Sequence, residues 1–112
     1  MIIDCHGHYT TTPPRVGAWR DAQIEAVAAN PDHISEKGVM TVTDDEIRES
    51  IATNQLRVQQ ERGTDVTVFS PRASWMGHHV GNASTSQAWT EHCNELIRRV
   101  CSLFPDNFVP VC

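Results

Sequence analysis

The sequence has no apolar run that approaches the roughly 20 residues a membrane-spanning helix needs. It also lacks the basic segment and hydrophobic stretch of a signal peptide at its start, because Met1-Ile2-Ile3 meets Asp4 at once. We therefore expect a cytoplasmic protein without a membrane partner.

Cysteine pairs and an excess of basic charge are missing as well. The four cysteines include no CxxC pair, which argues against a Cys-rich zinc module or a disulfide framework and favours buried thiols. The formal net charge of −5 argues against nucleic acid as a partner. An anionic small molecule stays open, since a pocket can be locally basic inside an acidic protein.

The rest of the sequence alternates short apolar runs, which are typical of strands, with segments whose apolar residues recur at helical spacing. Strands are predicted at residues 1–5, 66–69 and 108–111, the first of them as a buried strand. Helices are predicted over 15–29, from the capping-box pattern at Thr43 to Gly63, and from Ser84 to Phe104. Such alternation implies an α/β fold with parallel strands and right-handed crossovers.

Two histidines one residue apart follow the first apolar run. In an extended backbone, side chains two positions apart lie on the same side, so both imidazoles can contact one ion. The carboxyl ends of the strands form the catalytic face of a parallel barrel. The pattern predicts that His6 and His8 bind zinc or another divalent metal, and the alternative is a polar turn. Tyr9 and Thr10, which follow directly, are further candidates for the same site.

The loop after the second predicted strand supplies candidates at the same face. Arg72 can bind a carboxylate through two parallel N–H bonds, and Ser74 can add a donor. The alternative for Arg72 is a structural ion pair with the preceding helix. For His78 and His79, substrate contact or proton transfer competes with packing inside the loop. His92 is expected on the solvated side of the last helix.

Four segments resemble the 4-oxalomesaconate hydratases, a family of the amidohydrolase superfamily. They are Met1–Thr11, Phe69–Gly81, Trp89–His92 and Phe104–Val111. The likeness extends along nearly the whole chain and is weakest between Val16 and Met40. The first segment marks only the superfamily, whereas the second is far more specific.

The resemblance implies a (β/α)8 barrel of the TIM type, with one zinc ion. It also implies a hydro-lyase that adds water to a C=C bond of a tricarboxylate keto acid in the 4,5-cleavage degradation of protocatechuate. His6 and His8 correspond to that family's first two metal ligands, and its third histidine ligand and carboxylate base lie beyond Cys112. Because a closed barrel takes on the order of 250 residues, we expect residues 1–112 to be the N-terminal part of a single barrel domain, inactive alone.

Two other functions agree with the same residues. A decarboxylase or hydrolase of the superfamily would share the histidine pair and the residues that bind an anionic substrate. A non-catalytic binding or assembly module would keep the fold without the chemistry. The predicted roles are catalysis for His78 and His79, binding of a polycarboxylate substrate for Arg72 and Ser74, and metal binding for His6 and His8. A homo-oligomer stays open.

Overall fold

The chain alternates parallel strands with helices. The computed structural model describes residues 1–37, 41–77 and 79–111. The strands are β1 (Ile3–His8), β2 (Val66–Ser70) and β3 (Phe108–Pro110). The helices are α1 (Pro14–Ala29), α2 (Asp44–Ile51), α3 (Arg57–Glu61) and α4 (Ala83–Leu103), with a π-helical turn at Ala52–Leu56 and a 3-10 turn at Ala73–Trp75. Within the described ranges, no helix is both long and apolar enough to cross a bilayer.

The sheet has the strand order β1-β2-β3, and both pairings are parallel. In the first pairing Ile3 lies opposite Val66 and His8 lies opposite Ser70, with a register shift between Asp4 and Gly7. Parallel pairing places the carboxyl ends of neighbouring strands at one edge of the sheet. The predicted α/β fold with parallel strands is therefore confirmed, and this edge carries the candidate site.

Local capping explains where two of the helices begin. At α2, the Thr43 hydroxyl accepts the backbone N–H of Glu46 at 3.2 Å, and the Glu46 carboxylate accepts the N–H of Thr43 at 2.8 Å. This is the predicted capping box. Helix α4 is capped by Asn82, whose side-chain oxygen accepts the N–H of Thr85 at 3.0 Å. The cap therefore lies two residues before Ser84, where the sequence pattern predicted the helix to open.

Helices α2 and α4 pack their apolar sides into a core with β2 and β3. The ring of Phe69 in β2 lies 4.8 Å from that of Phe108 in β3, measured between centroids. Complete burial of one large apolar side chain stabilises a fold by about 1.5–3 kcal/mol. The predicted apolar stripe of the last helix is confirmed. The most deeply buried apolar residues of this core are Tyr9, Ile47, Ile51, Phe69, Ala88, Trp89, Leu96, Ile97 and Val100.

The prediction of a buried first strand is wrong. Ile2 and Ile3 are 58% and 51% exposed, and Cys5 is also exposed. The physical reason is that strand side chains point to the two faces of the sheet, and among the described elements no helix packs closely on β1, which contacts mainly β2. Of the other cysteines, Cys93 and Cys101 are buried as expected, and Cys112 lies outside the described residues.

Candidate metal centre

The imidazoles of His6 and His8 converge at the carboxyl end of β1. Both residues belong to the strand, which continues three residues beyond its predicted end. Their Nε2 atoms are 3.1 Å apart, and the ring centroids are 4.7 Å apart with the planes nearly perpendicular. Both side chains are exposed. The structure therefore brings two nitrogen donors together at the edge where the sequence predicted them.

Gly7 allows the two strands to approach each other between these histidines. A Cβ atom at this position would overlap Thr67 Cγ2 and would lie 3.1 Å from Phe69 Cδ2 and 3.2 Å from the Val68 carbonyl oxygen. A larger residue would force Thr67 or the β1 backbone to shift. Glycine has no Cβ atom and fits this contact without such a shift.

The last residue of β2 contacts the second histidine of the pair. Ser70 Oγ lies 2.6 Å from His8 Nδ1 and 3.0 Å from the Gly7 carbonyl oxygen. No pattern in the sequence predicts a role for Ser70. A hydroxyl residue at the end of the neighbouring strand could have indicated a contact with the histidines. Such a contact depends on the strand register, however, which places Ser70 opposite His8.

Arg72 lies beyond the end of β2 and is held by two contacts. Its guanidinium carbon is 4.9 Å from the ring centroid of Trp75, and its Nη1 donates to the Thr10 carbonyl oxygen at 3.3 Å. The side chain is exposed. Across the described parts of the chain no carboxylate forms an ion pair with it, so the alternative of a structural pair with the preceding helix finds no support there.

Of the other residues predicted in this loop, the structure describes Ser74 and His79. Ser74 is exposed in the 3-10 turn, and His79 is exposed in the turn that follows, with its ring close to Gly77. His78 lies outside the described residues. The roles assigned to these three residues stay predictions.

Tyr9 does not face the histidine pair, so the hypothesis about it is wrong. Its side chain is 1% exposed, its ring packs on Phe69, and its hydroxyl is 2.5 Å from Ser50 Oγ. Burial raises the pKa of the Tyr9 phenol above its ordinary value. Because alternation turns the residue after His8 to the opposite side of the chain, Tyr9 belongs to the core.

The expectation that His92 is a solvated surface residue is also wrong. It is 5% exposed and packs on Trp19. Burial lowers the pKa of its imidazole below the ordinary value for histidine. Helix α1 packs against this side of α4, and the periodicity of α4 alone does not show that another helix lies there.

The donor set of the histidine pair fits a zinc ion. Two nitrogens bound to one ion at about 2.0–2.1 Å can lie up to about 4.2 Å apart, and the observed separation is 3.1 Å. Neutral imidazole is also a common zinc ligand. In the part of the chain that the structure describes, no group of three His, Cys, Asp or Glu residues is arranged to hold a metal. Two nitrogen donors are fewer than the three protein ligands that a catalytic zinc ion normally takes.

Comparison with known families agrees with the parallel α/β fold. The family model described as amidohydrolase matches residues 3–112. The chain belongs to the amidohydrolase family. Its β/α units are accordingly the N-terminal units of an amidohydrolase barrel.

Two relatives make this amidohydrolase assignment more specific. A 2-keto-4-carboxy-3-hexenedioate hydratase from Sphingobium sp. (strain NBRC 103272 / SYK-6) is 50% identical over 112 residues. The crystal structure of 4-oxalomesaconate hydratase from Rhodopseudomonas palustris superposes with a TM-score of 0.84 at 46% identity. Both comparisons cover 100% of this chain and 32% of the relative. The resemblance to hydratases is confirmed, and the chain spans about a third of the length of these relatives.

Proposed function

We propose that the natural protein containing residues 1–112 is a metal-dependent hydratase acting on a tricarboxylate keto acid, in the 4,5-cleavage degradation of protocatechuate. The convergence of the two Nε2 atoms, 3.1 Å apart, carries the proposal, because it occurs in a chain 50% identical to a hydratase. A cytoplasmic location and a homo-oligomeric state stay predictions from the sequence.

His6 and His8 are the proposed metal ligands, and zinc is the proposed ion. The support is the separation of their Nε2 atoms, which suits two ligands of one ion. When bound, zinc would supply Lewis acidity for a substrate oxygen or lower the pKa of a water molecule. The role of the two histidines is to hold that charge at the carboxyl edge of the sheet, next to the residues proposed to bind the substrate.

The substrate in the name of the first relative indicates what the site has to accomplish. It is a hexenedioate with a third carboxyl group, a ketone at C2 and a double bond from C3 to C4. Conjugation with the ketone makes C4 electrophilic. Hydration therefore forms a C–O bond at C4 and a C–H bond at C3, while the C3–C4 π bond and one O–H bond of water break. A site for this reaction has to hold carboxylates in place and move one proton.

Arg72 and Ser74 are proposed to bind a substrate carboxylate. The contact with Trp75 and the bond to the Thr10 carbonyl oxygen hold the guanidinium near the carboxyl end of β1. Arginine matches the planar geometry of a carboxylate with two parallel N–H donors. Fixing one end of the substrate orients its double bond toward the attacking oxygen. His78 and His79 are proposed for substrate contact or proton transfer in the same loop.

The proposal is tested with the purified natural protein, with and without zinc. The tricarboxylate keto acid is supplied, loss of the conjugated absorbance is followed, and the product is analysed by mass spectrometry. We expect a product heavier by one water molecule and no release of CO2. Release of CO2 would instead indicate a decarboxylase.

Metal binding is tested in parallel by elemental analysis of His6→Ala and His8→Ala. We expect both variants to lose zinc, while His33→Ala retains it as the matched control, because His33 contacts Gln23 away from the pair. Equal zinc content in all three variants, together with no turnover, would favour a non-catalytic module.

A further inference from the structure

We propose that Ser70 is a positioning residue that holds His8 in the tautomer with a free lone pair on Nε2. This inference rests on the proposed metal site and adds a residue to it. Ser70 Oγ contacts both His8 Nδ1 and the Gly7 carbonyl oxygen, at 2.6 Å and 3.0 Å.

The direction of these hydrogen bonds follows from counting protons. A serine hydroxyl has one proton to donate, and a carbonyl oxygen can only accept. The contact with the Gly7 carbonyl therefore uses the Ser70 proton. In the contact with His8, the Nδ1–H of the imidazole is therefore the donor and Ser70 Oγ is the acceptor. A neutral imidazole protonated at Nδ1 has its lone pair on Nε2, the atom that faces His6.

The backbone holds Ser70 in a position to do this. Ser70 lies opposite His8 in the parallel register, and its carbonyl oxygen accepts the N–H of Tyr9 at 3.0 Å. The Ser70 hydroxyl therefore lies between two strands, β1 and β2, whose backbones are hydrogen-bonded to each other next to it. Metal-binding histidines commonly donate their other ring N–H to an acceptor, which fixes the ring orientation and raises the basicity of the ligand.

The opposite arrangement would impair binding at the same atom. If Ser70 donated to Nδ1, the His8 proton would lie on Nε2 and point toward His6. A metal ion could then bind only after the proton moved to the other nitrogen. Loss of the hydroxyl would leave both tautomers accessible and the ring free to rotate.

The tautomer is tested directly in the metal-free natural protein, labelled with 15N-histidine. Long-range 1H–15N correlation spectra in alkaline buffer, where imidazole is neutral, identify the protonated nitrogen. The His8 signals are assigned by their loss in His8→Ala. We expect Nδ1–H at His8 in the wild type and mixed tautomers in Ser70→Ala. A proton on Nε2 of wild-type His8 would overturn the proposal, whatever the variants do.

Zinc affinity is measured by competition with a fluorescent chelator. Ser70→Ala is expected to weaken zinc binding by about 10- to 100-fold, and Ser70→Thr, which keeps a hydroxyl, to bind close to wild type. Ser102→Ala is the matched control, since that exposed hydroxyl donates only to a carbonyl within α4.

The two proposals fail in different ways. If His6→Ala and His8→Ala lose zinc while Ser70→Ala binds as tightly as Ser102→Ala, the role of Ser70 is refuted and the metal site stands. If the histidine variants keep their zinc, the proposed site itself is wrong. Should Ser70→Ala fail to fold, the wild-type tautomer and the Ser70→Thr affinity still decide the question.

Discussion

The imidazole of His92 lies against the indole of Trp19, with 4.2 Å between the ring centroids, where α4 packs on α1. His92 is 5% exposed, and among the described residues its Nε2 atom has no hydrogen-bond partner. A charged imidazole at this position would lose the hydration of Nε2 without gaining a hydrogen-bond partner at that atom. Burial is accordingly the main cause of its lowered pKa, while the nearby Glu91 carboxylate acts in the opposite direction.

His92 should make the fold sensitive to mild acid. Its pKa is lower in the folded chain than the value of about 6.5 in the unfolded chain, so the unfolded state binds the proton more readily. The free energy of unfolding therefore falls as the pH drops through and below 6.5. In His92→Phe, which keeps an aromatic ring against Trp19, this loss should shrink. The measurement is urea unfolding of both proteins at pH 7.5 and 5.5 (about one unit either side of the free histidine value).

The substitution His33→Phe provides the matched control for this pH dependence. His33 is half-buried, with its Nε2 atom 3.3 Å from the Gln23 side-chain oxygen. The control should retain the acid sensitivity of the wild type. Identical pH dependence in wild type and His92→Phe would show that His92 does not cause it.

Gly7→Ala should destabilise the fold through one identifiable methyl group. The added Cβ would overlap Thr67 Cγ2, and overpacking of this kind costs about 1–3 kcal/mol. Thr67→Ser removes the opposing methyl, so the double variant should recover part of the loss. A double-mutant cycle in urea unfolding measures this coupling, and additive effects would contradict it.

Arg72→Ala should lower kcat/KM for the tricarboxylate keto acid if Arg72 binds a carboxylate. A hydrogen bond to a charged group is worth about 1.5–3 kcal/mol, which corresponds to a loss of about 10- to 100-fold. Arg72→Lys should recover little, since lysine cannot form two parallel bonds. Arg98→Ala is the control, because Arg98 forms an exposed ion pair with Glu95 on α4. Equal kcat/KM in Arg72→Ala and Arg98→Ala would show that Arg72 does not bind the substrate.

Local sequence patterns predicted most elements of the fold. The capping box at Thr43 and the apolar stripe of α4 depend on residues within a few positions of one another, and both occur in the structure. Errors arose where burial depends on a distant segment. Periodicity along α4 placed His92 in solvent because the sequence does not show that Trp19 of α1 covers it.

The order of strands and helices could be predicted from the amino-acid sequence alone, and so could the spacing that puts His6 and His8 on one side of a strand, because both follow from the periodicity of the backbone. The folded chain was needed to find that Ser70 contacts His8 and that Thr67 leaves no room for a side chain at Gly7. These contacts join residues about 60 positions apart, and the register of two parallel strands sets them.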